Sequence, residues 1–417
     1  MKYAAIILGG GSDLPLDELG GLTPLEAADT PNLDELSRAG RIGTVCATPK
    51  GCVTCDEVCL LNLLGYDPVV NRCGHGVLEA LGAGCELSLD DWAMRVSLMT
   101  IGEDGADDEG VVLDQVAGMI PEAESRVLIE DLVELWSDEA PEFMEGVRLG
   151  SLVQSGGVLL DSSGTSYRGV ESAAPVDLIG RRWEPALPSG ELGRELARCI
   201  EVSKAYLDQH EINQVRREQG LHPANLAWIW GMGQRRKLPS FLQITGLNGV
   251  LVTRSGVMGG IGELIGWDRL SGSTHQAMGD QLVRKIRDHD FVCWYGDGCA
   301  VASHQGDAAS KVQEIEAIDR EIIGPVMNML RRYGDQRVDP AVHGWRMMVV
   351  VDHATHCTTH KHDPAAVPFA MGGAWVQSVV ERTMTERQAI EADLHIERGT
   401  DLMEYFLYSG LVRVDHA

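Results

Sequence analysis

Short apolar runs alternate with amphipathic stretches along most of the chain, a rhythm that predicts βα units and a mainly parallel sheet. Four of the runs end in loops of small or polar residues. Ala4–Leu8 enters Gly9-Gly10-Gly11, Gly249–Val252 enters Thr253-Arg254-Ser255-Gly256, Asp290–Tyr295 enters Gly296-Asp297-Gly298-Cys299, and Met347–Val351 enters Asp352-His353. Open α/β sheets bind ligands beyond the carboxyl ends of their strands, so these four loops are expected to line one crevice. Helices are predicted over Thr30–Ala39, Glu191–Gln209 and Ala308–Arg332. Between 91 and 215 the rhythm changes to acidic clusters such as Asp107-Asp108-Glu109, short alternating runs and turn-rich Ser162-Ser163-Gly164-Thr165. That stretch reads as an inserted α+β cap domain, with 1–90 and 216–417 forming the core.

The 417 residues suffice for two domains, and 44% hydrophobic with 23% charged residues is the composition of an ordinary globular protein. No apolar run approaches the roughly 20 residues needed to span a bilayer. The apolar N-terminus is too short for a signal peptide and runs into glycines, so a buried first strand and a cytoplasmic location are expected. A net charge of 35 − 62 = −27 argues against nucleic acid or an anionic membrane as partner and reads first as solubility. Ten cysteines without a secretory signal point to reduced thiols, reactive thiols or metal ligands. Cys46, Cys52, Cys55, Cys59, Cys73 and Cys85 crowd one stretch, while Cys293, Cys299 and Cys357 lie in or after late apolar runs. Cys199, alone in an apparent helix, reads as a buried small residue.

A family likeness is carried by segments spread over nearly the whole chain. They are Leu14-Pro15, Glu18-Leu19-Gly20-Gly21-Leu22-Thr23-Pro24-Leu25-Glu26-Ala27-Ala28, Thr30-Pro31-Asn32-Leu33-Asp34-Glu35-Leu36 and Leu64-Gly65-Tyr66-Asp67-Pro68. Glu79-Ala80-Leu81-Gly82, Asn213, Arg216, Pro223-Ala224-Asn225, Gly231-Met232-Gly233, Ile315-Glu316, Asp319 and Val367-Pro368-Phe369 follow in the same order. With these the chain resembles the archaeal-type cofactor-independent phosphoglycerate mutases of the alkaline phosphatase superfamily. The resemblance implies an α/β fold: an alkaline-phosphatase-like core with a mainly parallel central sheet flanked by helices, plus the inserted α+β cap. It also implies a homo-oligomer and two divalent metals that activate a serine, which carries the phosphoryl group covalently.

Carried over residue by residue, that pattern matches at His304, Asp352, His353 and His362. Where it has a metal-binding Asp after the first strand the chain has Gly9, where it has Gly-Ser-Asp the chain has Cys55-Asp56-Glu57, and where it has a further Asp the chain has Ala300. On the phosphate-gripping side Arg95 remains, Arg-Gly-Arg-Gly becomes Cys73-Gly74-His75-Gly76, two further Arg become Val116 and Met119, and a Lys becomes Gly259. Each charge-assisted contact is worth roughly 1.5–3 kcal/mol, so loss of the usual mutase reaction is expected.

Cysteine and histidine supply a replacement chemistry. Cys52, Cys55 and Cys59 form a C-x2-C-x3-C run on the nucleophile loop, with Cys46 or Cys73 as a fourth sulfur; a helix starting near Cys55 would put Cys55 and Cys59 on one face. Facing them are expected His304, Asp352, His353, His356, Cys357, His360 and His362, with Cys299 and His75 nearby. Sulfur and imidazole donors favour a soft centre, an Fe–S cluster ahead of a divalent metal such as Zn. Gly9-Gly10-Gly11 is a candidate cradle for a phosphate or cluster, against the plainer reading of a tight turn. Trp228-Ile229-Trp230 reads as core.

The leading expectation is therefore a repurposed mutase-like protein holding a Cys/His-ligated centre for redox or small-molecule activation. Its partner would be a small-molecule substrate or an electron-transfer protein. A second keeps metal-dependent phosphoryl transfer, with Asp56, Glu57 or Cys55 as substitute nucleophile. A third is a non-catalytic scaffold or subunit for a metal cluster.

Overall fold

The structure is a computed structural model that describes residues 1–103, 105–334, 344–378 and 380–409. It contains two compact units, one of residues 1–72 with 238–417 and one of residues 73–237. The strands are β1 (Lys2–Leu8), β2 (Arg41–Val45), β3 (Trp92–Ile101), β4 (Val112–Asp114), β5 (Val147–Val153), β6 (Gly156–Asp161) and β7 (Leu226–Gln234). They continue as β8 (Gly249–Thr253), β9 (Asp268–Leu270), β10 (Phe291–Gly296), β11 (Trp345–Val351), β12 (Ala354–His356), β13 (Lys361–Asp363), β14 (Val367–Gly373) and β15 (His395–Ile396).

The first unit is built on an eight-stranded sheet of order β15-β2-β14-β11-β1-β10-β8-β9. Among the described strands of this sheet, only β14 runs antiparallel to its neighbours. The four strands expected from the apolar runs, β1, β8, β10 and β11, are adjacent at its centre. Strands of a parallel sheet are covered on both faces, so they read as unbroken apolar stretches; every residue of β1 is buried. Register aligns their ends, with Leu8 opposite both Gly296 and Val351 and Tyr295 opposite Thr253. The loops after β1, β10 and β11 therefore emerge level at one edge, which positions the site.

The helix Pro31–Ala39 lies within one residue of its expected start. The long helix expected over Ala308–Arg332 is interrupted: Ala308–Ile318 passes through a π-helical turn, Asp319–Ile323, into Gly324–Gly334. The turn frees Asp319 to accept the Asn32 and Leu33 backbone N–H groups at 3.2 and 2.7 Å, capping the start of Pro31–Ala39.

The second unit is an antiparallel sheet, β4-β3-β6-β5 with β7 also on β3. Helices Glu122–Glu139 and Glu191–Gln209 join its hydrophobic core through Leu128, Leu132, Trp136, Leu196, Cys199 and Ile200. Trp136 Nε1 donates to the Cys199 carbonyl at 2.9 Å, and Trp228 is wholly buried. The unit extends past the 91–215 stretch because helix His75–Gly82 packs on β3 and β7, and β7 is a full neighbour of β3. Among the described residues no helix is long and apolar enough to cross a membrane.

Candidate metal centre

Asp56 opens helix Asp56–Leu63, with Cys55 as an extended N-cap residue. Val58–Leu63 are buried and anchor the helix, and a carboxylate in the first turn is favoured by the partial positive charge of that end. Asp352 and His353 follow β11. The chain then turns through the β12–β13 hairpin, in which Thr355 pairs with His362, so His353 and His362 stand side by side with ring centroids 4.3 Å apart. Asp56, His353 and His362 each offer one ligand atom, all within 4.8 Å of one another; among the described residues no other three His, Cys, Asp or Glu side chains do so.

Hydrogen bonds fix this trio. His353 Nε2 lies 2.7 Å from Asp56 Oδ1, and Thr355 Oγ1 lies 3.1 Å from both His353 Nδ1 and His362 Nδ1. The ring nitrogen held by Thr355 leaves Nε2 as the donor of each ring toward the centre, the arrangement that orients histidine ligands. Asp352, wholly buried, accepts the Gly10 N–H at 2.8 Å and its neighbour's N–H at 2.6 Å on Oδ1, and the Tyr295 hydroxyl at 3.1 Å on Oδ2.

The charges follow from burial and neighbours. Burial raises the Asp352 carboxyl, Asp56's charge adds to this and His353 opposes it, leaving it at about 6. Burial pushes His353 down, but Asp352 and Asp56 outweigh it and raise it to about 9. Burial and the charge of His353 pull His362 down to about 4. Burial pushes Asp56 up, yet hydrogen bonding and charge from His353 and the charge of His362 hold it below the usual carboxylate range. A carboxylate and a neutral imidazole beside a second imidazole make a donor set suited to one divalent ion of the Zn, Mn or Co kind.

The other expected site residues are placed differently. Gly9, Gly10 and Gly11 form no cradle: their N–H groups donate to Gly296 O (2.8 Å), Asp352 Oδ1 (2.8 Å) and Leu8 O (3.3 Å), so none is left to face an anion. Glu57 shares the first helical turn with Asp56. Cys46 follows β2, and Cys52 closes a turn on Pro49. The Cys55 thiol leans to Val53 O at 3.7 Å, while Cys59 is buried inside the helix with its sulfur 3.4 Å from Thr48 Oγ1. Burial raises the Cys55, Cys59 and Cys299 thiols well above their ordinary value and Cys357 to about 11, which opposes thiolate ligation. Cys73 and His75 belong to the second unit, where the His75 ring stacks on Trp230 at 4.5 Å.

In the His-rich loop, His356 bridges Asp13 and Asp363, each at 3.2 Å, and is not among the trio. His360 has φ +59°, with Nδ1 3.3 Å from Ser303 O, and its carbonyl lies 2.9 Å from His304 Nδ1. His304 sits edge-on to His362 with ring centroids 4.9 Å apart, flanking the centre.

Residues that the sequence did not single out hold the site in place. Tyr295 reaches Asp352 from the end of β10, and Thr355 joins the two histidines. Lys311, wholly buried, donates to Asp13 Oδ2, Ser12 O and Thr355 O at 2.9, 2.9 and 2.8 Å, tying the hairpin to helix Ala308–Ile318. Alternation along β10 places Tyr295 on a face, but nothing in a sequence shows a lysine of an amphipathic helix pointing inward.

Comparison with known proteins overturns the leading expectation. Residues 37–213 match the family described as 2,3-bisphosphoglycerate-independent phosphoglycerate mutase. A relative from Geobacter sulfurreducens, named as a probable enzyme of that kind, is 31% identical over 98% of this chain and 100% of its own length. A Methanosarcina barkeri phosphoglycerate mutase is 31% identical over 97% of this chain and 98% of its own. The fold is shared with a Pyrococcus horikoshii protein (TM-score 0.74, 24% identity, 97% of this chain and 96% of that one). It is shared also with the cofactor-independent phosphoglycerate mutase of Thermoplasma acidophilum (TM-score 0.56, 23% identity, 98% of this chain and 99% of that one). Relatives over full length are named as mutases, so the expected Fe–S centre, the lost mutase activity and the divergent, redox-type site are corrected. The physical reason is that the Cys55 and Cys59 sulfurs are turned to separate partners, Val53 O and Thr48 Oγ1, while the donors that converge are a carboxylate and imidazoles. The chain belongs to the 2,3-bisphosphoglycerate-independent phosphoglycerate mutase family.

Proposed function

We propose that the chain is a metal-dependent phosphoryl-transfer enzyme acting on a small phosphorylated hydroxy acid, of the phosphoglycerate type for which its relatives are named. The observation that carries this reading is the convergence of Asp56, His353 and His362 at the ends of the central strands. A divalent ion held by these residues would neutralise phosphoryl oxygens and lower the barrier to attack on phosphorus.

In this reading Asp56 is the nucleophile. Its carboxylate is kept ionised by His353 and by the helix N-terminus, and carboxylates carry phosphoryl groups as acyl phosphates. Attack of a carboxylate oxygen on phosphorus forms a new P–O bond as the bond to the substrate oxygen breaks, and the departing oxygen takes a proton from water. Return of the group to the neighbouring hydroxyl of the bound glycerate, with loss of that hydroxyl proton, gives the isomer and restores Asp56. His362, uncharged above about pH 4, stays available as a neutral ligand. Thr355 holds both rings in register.

The test is interconversion of the two phosphoglycerate isomers by the full chain, stripped with EDTA and resupplied separately with Mg2+, Mn2+, Co2+ and Zn2+. Turnover restored by at least one ion and absent in His362→Ala supports the reading. No turnover with any of the four, and no hydrolysis of either isomer, overturns it.

A further inference from the structure

Gly9, Gly10, Ala300, Asp352 and Tyr295 pack on one another beside the trio, where Asp352 Oδ2 lies 3.6 Å from His353 Nε2. A Cβ on Gly9 would lie 2.7 Å from the Tyr295 hydroxyl and 2.9 Å from Gly296 O, so the phenol fills the volume beside the end of β1. A Cβ on Gly10 would lie 2.7 Å from Ala300 Cα and Cβ, so helix Gly298–His304 is pressed against the glycine turn. Ala300 carries no donor atom, and its N–H is spent on Gly9 O at 3.0 Å.

Asp352 is the anionic group among these residues, and both of its oxygens are already satisfied. Oδ1 accepts two backbone N–H groups and Oδ2 accepts Tyr295. Tyr295 is 1% exposed, and burial, with the charges of Asp352 and Asp56, raises its hydroxyl well above the ordinary value, so a neutral hydroxyl faces the Asp352 carboxylate.

From this geometry we infer that Tyr295 limits the centre to a single divalent ion: its hydroxyl occupies the space beside Gly9, and engages the Asp352 carboxylate, that a second ion would need. A cation bound about 2.0–2.2 Å from its ligands requires lone pairs directed at it, and here the Tyr295 hydroxyl proton is directed at Asp352 Oδ2 instead. Tyr295 is thus a positioning residue, acting through Asp352. The inference rests on the trio being a metal site.

Metal counting tests it. The EDTA-stripped full chain is titrated with Zn2+ by calorimetry, and bound zinc is measured independently by elemental analysis after gel filtration. One equivalent per chain is expected. Two equivalents overturn the inference and leave the metal site standing; none removes the metal site itself, and the inference with it. Tyr295→Phe, checked for folding by circular dichroism, is expected to bind zinc about tenfold more weakly, as loss of a partner that orients a ligand does. It is also expected to shift the visible spectrum of the Co2+-substituted protein. An affinity and a Co2+ spectrum both unchanged in Tyr295→Phe overturn the positioning role.

Discussion

The Asp56 carboxylate and the His353 imidazole are 297 positions apart in the chain and 2.7 Å apart in the fold. One opens a helix and the other follows a central strand, so their meeting depends on the whole of the first unit. Replacing Asp56 by Asn keeps the shape and removes the charge that would attack phosphorus. Turnover is expected to fall by a factor of about 10³ or more, the scale on which loss of a nucleophile is felt. Metal affinity should fall with it, measured by the same zinc titration. Turnover in Asp56→Asn within about tenfold of the parent would remove Asp56 from the chemistry.

The same pair makes the stability of the metal-free protein depend on pH. The folded pKa of His353 is raised from 6.5 to about 9, so its contribution is full below about pH 6.5 and is lost as pH rises through 9. Asp352, raised from 3.8 to about 6, acts in the same direction over a lower window: the folded state is favoured below 3.8 and loses that advantage as pH rises through 6. In EDTA, the urea midpoint is expected to fall between pH 6 and pH 9.5. His353→Gln should lose most of the drop within that range. An equal drop in parent and variant would mean that His353 is not its source.

Lys311 and Asp13 form an ion pair whose side chains are 0% exposed. Lys311→Met leaves a buried carboxylate without its cation, and removing one partner of such a pair costs about 3–5 kcal/mol. Burial pushes Asp13 up, but the charge and hydrogen bond of Lys311, with the Cys357 and Leu14 N–H groups, hold it below its ordinary value. The pair's stabilisation is therefore present at neutral pH and lost in acid, as pH falls through the folded pKa of Asp13. Urea unfolding should show the loss in Lys311→Met. The double variant Lys311→Met/Asp13→Asn should recover part of it, because the stranded charge is gone. A double variant worse than the single would point to packing instead.

Gly10 has φ +69°, and a Cβ there would meet Ala300 and Thr355 Oγ1 at 2.7 Å. Gly10→Ala combines left-handed backbone with overpacking and is expected to cost about 2–4 kcal/mol. It should also weaken zinc binding, because Thr355 Oγ1, which holds both histidines, must move. Unfolding and zinc titration on one preparation check both; normal values for both would mean that the turn yields without disturbing the hairpin.

The central strands were legible because burial on both faces writes them as apolar runs, and register does bring the ends of β1, β8, β10 and β11 level. Asp352, His353 and His362 were recognisable from the family pattern, and Asp56 by counting from Leu64-Gly65-Tyr66. The cysteines misled because closeness in sequence carries no direction. Cys55 caps a helix and Cys59 is buried within it, so their sulfurs find Val53 and Thr48 as partners. His356 looked like a ligand for the same reason, whereas two carboxylates claim its ring. The π-helical turn at Asp319 was invisible because the amphipathic rhythm continues through it; its reason is the cap on Pro31–Ala39, supplied to residues 287 positions away.

The interrupted first unit has a consequence for the chain as it is made. Among the described residues β1 pairs only with β10 and β11, with Tyr3 opposite Phe291 and Arg346, whereas residues 73–237 are contiguous. At the usual pace of synthesis, β1 leaves the ribosome roughly 15–60 s before its first neighbour. The second unit can fold in that interval, while a mostly apolar strand waits without a partner. The nascent chain is therefore most exposed to aggregation in the middle of translation, and a product that stops before Phe291 has no sheet in which to place β1.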